Sequence, residues 1–384
     1  MRPDLTPLAL TQIVVWGALA LGLVFGAVGQ ASRFCVRGAI ADWVTLRSPG
    51  RLVSWLLAVG VGALCVQALV SGGLLDAGRT LYWSERFPWL SYVVGGLLFG
   101  YGMVLSGGCP QRCLVKTGQG NLKAAVTLVV VAIAALMTLR GALAPLRANV
   151  LDTVSTSLAG PQDLGGLLGR SLSVSPAMLR WLLAAAIAAG VFAFAWRLRS
   201  RIQRSHVVGG IAVGLIVGVA FFLTGYIGFL PEHPETLEPA WLGTQSKRPE
   251  ALSFSAPMAH ALDLLTLWTD KATVATYGVM LSLGIVIGAF VTARLRRDFR
   301  IEMFQSPREL GEHVLGGLLM GFGGITALGC SIGNGVTGLA MLSAGAALAV
   351  AAISTGAWLA LARQRRTAGA PAAAVGPTAS LRTP

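Results

Sequence analysis

Three of the five cysteines stand where an apolar run meets chain-breaking sequence. Cys35 closes Ser32-Arg33-Phe34-Cys35, Cys109 sits in Gly107-Gly108-Cys109-Pro110, and Cys330 opens Cys330-Ser331-Ile332-Gly333-Asn334-Gly335 just after Gly329. Proline cannot continue a helix, because it lacks an N–H and its ring meets the preceding turn. Glycine permits backbone that other residues avoid. A helix that restarts after such a break presents free N–H groups and a positive dipole end, a natural anion site. A thiol adds a weak, polarisable donor that suits a sulfur atom better than a hard oxyanion. The chemistry expected at these breaks is therefore the binding of a small, soft anion by Cys35, Cys109 and Cys330. Arg33, Arg37, Arg112 and Lys116 make the surrounding rim positive, and a cation would be repelled there.

Other candidates are weaker. Cys113 follows Cys109 by one helical turn, and Asn334 stands at the corresponding place after Cys330, so either could add a donor. Cys65 lies mid-run without a flanking break and reads as a small packing residue. An odd cysteine count without a dense framework argues against a disulfide scaffold. His206, His233, His260 and His313 are scattered away from the cysteines, so neither a metal centre nor any other cofactor is expected.

The elements that must position these residues are membrane helices. Of the 384 residues, 54% are apolar and 12% charged, against about a quarter charged in soluble domains. With 49 glycines, this excludes a soluble enzyme, a disordered chain and a nucleic-acid module, despite the net charge of +14. Runs free of Asp, Glu, Lys and Arg give the spans, since roughly 20 apolar residues cross a bilayer. Leu5–Gly29, Leu52–Leu75, Phe87–Gln111, Ala124–Leu139, Trp181–Trp196, Val207–Pro231 and Ala272–Ala293 are one span each. The 50-residue run from His313 to Ala362 makes two, divided at Gly329–Gly335. No small-residue cleavage site interrupts the first run, so a cleavable signal peptide is not expected.

The sequence also repeats. Residues 95–109 and 316–330 match at 8 of 15 positions without a gap, each ending in Gly-Cys. A weaker echo links Gly22-Leu23-Val24-Phe25-Gly26 with Gly214-Leu215-Ile216-Val217-Gly218. The first unit takes spans one to four and the second spans six to nine. Five crossings separate their starts, an odd number, so one unit is upside down relative to the other. Inverted repeats with interrupted helices place a transport site at the repeat interface. The expected fold is an all-α polytopic membrane protein of about nine transmembrane helices in two inverted repeats. Residues 5–362 form one transmembrane domain, with repeat units at 5–140 and 207–362 and a connecting segment with the fifth span at 141–206. Residues 363–384 form a disordered cytoplasmic tail.

Taken together, Ser32-Arg33-Phe34-Cys35 with Gly38-Ala39, Ser106-Gly107-Gly108-Cys109 with Gly118-Gln119-Gly120-Asn121-Leu122-Lys123, and Gly329-Cys330-Ser331-Ile332-Gly333-Asn334-Gly335 resemble the YeeE/YedE family of sulfur transporters. The likeness runs in order from the first span to the ninth. It implies an inverted repeat in which short re-entrant half-helices dip toward the membrane centre from both faces. It implies thiosulfate, or a similar sulfur oxyanion, as substrate, passed between pore cysteines at Cys35, Cys109 and Cys330. Arg33, Arg37, Arg112, Cys113 and Asn334 are secondary candidates, and the resemblance supplies no cysteine at the position of Cys113. The lipid bilayer and a cytoplasmic sulfur-carrier protein are the other expected partners, without nucleic acid. The alternatives are a membrane sulfurtransferase working through a persulfide, and a soft-metal channel. The first of these is an enzyme, and the reading preferred here is not.

Topology follows from charge. Alternating loops that begin with Arg33–Arg51 hold 20 of the 30 Lys and Arg residues, and the opposite side holds Glu232, Glu235, Glu238 and Glu250. By the positive-inside rule the basic side is cytoplasmic, the amino terminus lies outside and the carboxyl terminus inside, as in a bacterial inner-membrane protein. A reporter fused after Arg366 should be cytoplasmic and one inserted at Glu238 extracytoplasmic. Both on one side would overturn the span assignment.

Overall fold

The computed structural model describes residues 6–369. Leu5 and residues 370–384, where most of the expected tail lies, fall outside the described residues. The chain is built almost wholly from helices: α1 Pro7–Ser32, α2 Val36–Leu46, α3 Gly50–Ser71, α4 Trp89–Leu105, α5 Pro110–Gly118, α6 Leu122–Arg140, the single turn α7 Ala144–Leu146, α8 Leu164–Leu172, α9 Pro176–Arg197, α10 Arg204–Phe221, α11 Ala256–Thr266, α12 Tyr277–Leu295, α13 Pro307–Thr326 and α14 Ala344–Gly369. Two antiparallel two-stranded ribbons tie loops together, pairing Arg86–Phe87 with Thr156–Ser157 and Phe229–Leu230 with Ala240–Trp241.

Eight helical stretches among the described residues are long and apolar enough to cross a membrane. They match all but one of the spans read from the sequence. The exception is α13, which starts at Pro307 and carries Arg308, Glu309 and Glu312 in its first turns. Only its portion from His313 to Thr326 is free of those charges, fewer residues than the roughly 20 that cross a bilayer. At the other end α14 continues past Arg366 to Gly369, so the start of the expected tail is helix. The fifth span, α9, buries only Ala184 and Ala188 and leans on α3 and α8, at the periphery of the bundle.

The packing is paired throughout. Helix α1 crosses α12 as α10 crosses α3, and α4 crosses α14 as α13 crosses α6. The central crossing, α4 with α13, pairs the two halves directly. Glycines make these crossings possible, because lipid tails are as apolar as leucine and helices in a bilayer associate through close packing. A Cβ at Gly95 would strike the Gly323 carbonyl, and one at Gly323 the Gly95 carbonyl. Gly102 and Gly316 exclude each other's Cβ in the same way. Rising numbers on one helix meet falling numbers on the other, so the two run antiparallel. On their other faces Gly96 and Gly100 lie against the α14 backbone, and Gly317 and Gly321 against that of α6. The weaker echo follows the same logic, since Gly22 and Gly26 seat α1 on α12 while Gly214 and Gly218 seat α10 on α3.

The glycines should therefore differ sharply in tolerance. Gly316→Ala forces α4 and α13 apart and should cost about 1–3 kcal/mol of stability, as overpacking does. Gly190, on α9, has open space around it, and Gly190→Ala should stabilise by roughly 0.5–1 kcal/mol. Thermal unfolding of the two purified variants in one detergent checks the order; equal effects would remove the seam from its central role.

Candidate functional site

Each of the three breaks has the same construction. A left-handed residue ends the first helix two positions before the cysteine: Arg33 at φ 55°, Gly107 at φ 68° and Leu328 at φ 55°. Leucine in that region is strained, which surrounding structure must over-determine. The cysteine then starts the next helical piece. Cys35 is the N-cap of α2, and its sulfur accepts the Gly38 N–H at 3.2 Å. Cys330 precedes a π-helical turn, Gly333–Gly338, and its sulfur accepts the Gly333 N–H at 3.3 Å. Cys109 is the N-cap of α5, with Pro110 as the first helical residue, but its thiol does not cap and contacts Gln111 Oε1 at 4.0 Å.

Tertiary contacts hold the breaks in place. Trp55 Nε1 donates to the Gly335 carbonyl at 2.7 Å, the Tyr82 hydroxyl to that of Gly333 at 2.9 Å, and the Thr337 hydroxyl to that of Leu252 at 2.8 Å. Across the site, Lys116 Nζ and Arg37 Nη1 both donate to the Gly107 carbonyl, at 2.9 and 3.3 Å. That carbonyl is the acceptor freed by the end of α4.

The fold brings the three cysteines together. Cys109, fully buried, has Cys35, Cys330 and the Ser331 hydroxyl among its polar neighbours. Arg112 lies near Cys35, Cys109 and Cys113, and Lys116 near Cys113, Arg112, Arg37 and Cys35. Several buried donors here have no partner among the described residues: Arg37 Nε, Gln111 Nε2 and Arg112 Nη1. Leaving a buried donor unsatisfied costs roughly 1–3 kcal/mol. Three of them lie beside the thiols, and open donors of this kind are what an anion would satisfy.

The secondary candidates divide. Arg37 and Arg112 belong to the cluster, and Lys116 joins them. Arg33 does not; it is exposed at the end of α1 and serves the turn. Cys113 is buried beside the same cations, with its thiol directed at the Gly108 carbonyl at 3.7 Å. Asn334 Nδ2 donates to the Ala327 and Gly329 carbonyls at 3.0 and 2.9 Å, so the donor expected from it is spent within the protein. Cys65 is half-buried against Gly218, a helix-packing contact.

Sequence reading missed a fourth half-helix. Helix α11 lies in what reads as an external loop, and a cavity of about 340 Å³ opens before it, lined by Tyr82, Glu250, Ser255, Thr276 and Gly329 among others. Gly329, in its lining, immediately precedes Cys330 in the chain. The signal was present but faint: Phe254-Ser255 echoes Phe34-Cys35, and both phenylalanines pack on Phe25, with ring centroids 6.0 and 6.5 Å away. Glu250 was counted only as loop charge. It is held by a Ser246 N–H at 2.9 Å, and burial pushes its carboxyl above the usual carboxylate range.

A family profile described as sulphur transport matches residues 31–359, from the first cysteine break into the last helix. The chain belongs to the sulphur-transport family. As a member it is a transporter rather than an enzyme. It is 28% identical over 344 residues to the thiosulfate transporter TsuA of Escherichia coli, covering 86% of this chain and 89% of that protein. It is 25% identical to the thiosulfate transporter TsuA of Spirochaeta thermophila, over 86% and 93% of the two chains. A shorter match, 29% identical over 115 residues, links it to the probable transporter YedE of Escherichia coli.

The geometry orders four of the five cysteines. Cys35→Ala, Cys109→Ala and Cys330→Ala should each lower anion uptake, whereas Cys65→Ala should leave it near the parent value. Cys→Ser at the first three should retain part of it through the hydroxyl donor. Equal loss from Cys65→Ala would point to packing damage instead.

Proposed function

We propose that this protein takes up thiosulfate, or a closely related small sulfur-containing anion, across the cytoplasmic membrane along a path lined by cysteine thiols. The observation that supports this reading is the grouping of Cys35 and Cys330 about Cys109, beside the Arg37–Arg112–Lys116 cluster, with Gly329 of the cavity wall next in sequence to Cys330. The two full-length relatives named thiosulfate transporters supply the substrate.

On this reading the anion enters the cavity from outside and meets Cys330 beyond Gly329. It passes by way of Cys109 to Cys35 and leaves through the cation cluster. Thiols contact the terminal sulfur of thiosulfate while helix-start N–H groups and hydroxyls take its oxygens. Successive weak sites let an ion leave as readily as it arrives. The thiols act as donors, so they stay protonated; a thiolate would repel the dianion. The basic face is cytoplasmic, which leaves the amino terminus outside and the carboxyl terminus inside, and there the mouth hands the anion to a sulfur-carrier protein. The two units at 5–140 and 207–362 form an inverted repeat, supported by the exchanged helix pairs.

Glu250 gives this path a pH dependence. A neutral carboxyl in the cavity tolerates a dianion and an ionised one repels it. Because burial raises its pKa, the neutral form persists to higher pH, and uptake should fall as pH rises through that value. Labelled-thiosulfate uptake by proteoliposomes tests both points. The wild type should accumulate label and lose rate on the alkaline side, and Glu250→Gln should flatten that limb. Absence of uptake would overturn the reading, and a persulfide mass increase on the protein would favour sulfur transfer. An unchanged pH profile in Glu250→Gln would remove Glu250 from the path.

A further inference from the structure

Two helices begin at the cavity wall, and neither is capped by its own N-cap side chain. Ser255 precedes α11 and Thr276 precedes α12, and neither hydroxyl bonds to its helix. Serine and threonine at this position ordinarily accept an N–H from the first turn, a contact worth about 1 kcal/mol. Here both residues are at least nine-tenths buried, at 0% and 5% exposure, both line the cavity, and both hydroxyls lack a partner among the described residues. Cys35 is the contrast. It occupies the matching place before α2, with Phe34 on Phe25 as Phe254 is, and Ala39 as fully buried as Ala259. Its sulfur is used to cap its helix, whereas the Ser255 oxygen is left free.

We propose that the amino ends of α11 and α12 form an oxyanion station ahead of the thiols, in which the Ser255 and Thr276 hydroxyls donate to oxygens of the transported anion. The proposal rests on the reading of the chain as a sulfur-anion transporter and adds a division of labour to it. A hydroxyl is a harder and stronger donor than a thiol, so it suits the oxygens, while Cys330 beyond Gly329 meets the soft terminal sulfur. Two positive helix ends aim at the same space. The cavity's arginines are partly neutralised, Arg140 by Asp263 at 3.2 Å and Arg147 by Asp152 at 3.6 Å. With Glu250 neutral, the helix ends and these partly neutralised arginines attract an anion without trapping it. The hydroxyls and helix ends fix its orientation. Gly324 fits this arrangement, because a Cβ there would collide with the Ser255 oxygen.

The test uses the full chain in detergent, with thiosulfate and sulfate as calorimetric probes. Sulfate offers only oxygens, so the station should bind it. Ser255→Ala and Thr276→Val should each weaken both anions by about tenfold, the worth of one hydrogen bond to an ion, and Thr276→Ser should restore binding. In proteoliposomes the same variants should raise the KM for thiosulfate and leave kcat near the parent value. Ser255→Cys gives a readout that does not depend on the truncations: sulfate should slow alkylation at residue 255. Unchanged affinity in both Ser255→Ala and Thr276→Val, or no protection of the introduced thiol, overturns the station. Binding of both anions without any uptake would leave the station standing and remove the transport reading.

Discussion

The antiparallel crossing of α4 and α13 is the contact from which the rest of the architecture follows. Gly95 faces Gly323 and Gly102 faces Gly316, each excluding a side chain from the other. Water supplies no driving force between helices in lipid, so backbone approach and dispersion hold such a crossing together. Once these helices lie backbone to backbone, their outer glycine faces fix α14 and α6 by the same device. Their carboxyl ends, at opposite ends of the crossing, lead into the Gly-Cys breaks at 109 and 330.

The breaks convert packing into chemistry. A helix that stopped at random inside a bilayer would leave several carbonyls and N–H groups unpaired. Here the freed Gly107 carbonyl is taken by Lys116 and Arg37, and the Ala327 and Gly329 carbonyls by Asn334. The acceptors are thus satisfied within the protein while several donors stay open. Open donors of this kind are what an anion, rather than a cation, would satisfy. The two repeat-equivalent positions after the cysteines, Cys113 and Asn334, also differ in kind: one sits among cations and the other closes a helix end.

The sequence by itself determined the class of fold, the places of the three cysteine breaks and the separation of Cys65 from them. Membrane helices need only length and apolarity, which composition records, and a break needs only glycine or proline beside a run. The matched Gly-Cys segments announced the pairing of α4 and α13 because close backbone approach admits no other residue. What tertiary structure alone decided lies where local sequence is ambiguous. Helix α11 is short and follows a polar loop, so hydropathy could not separate it from that loop, and Ser255 became visible only once Phe254 was seen on Phe25. The placing of Arg37 with Lys116 and the exclusion of Arg33 depend on which way each chain leaves its turn. Asn334 was a free donor on paper and a helix cap in three dimensions. Partnership between polar groups is a property of the folded neighbourhood, since a donor's availability depends on acceptors far away in the chain.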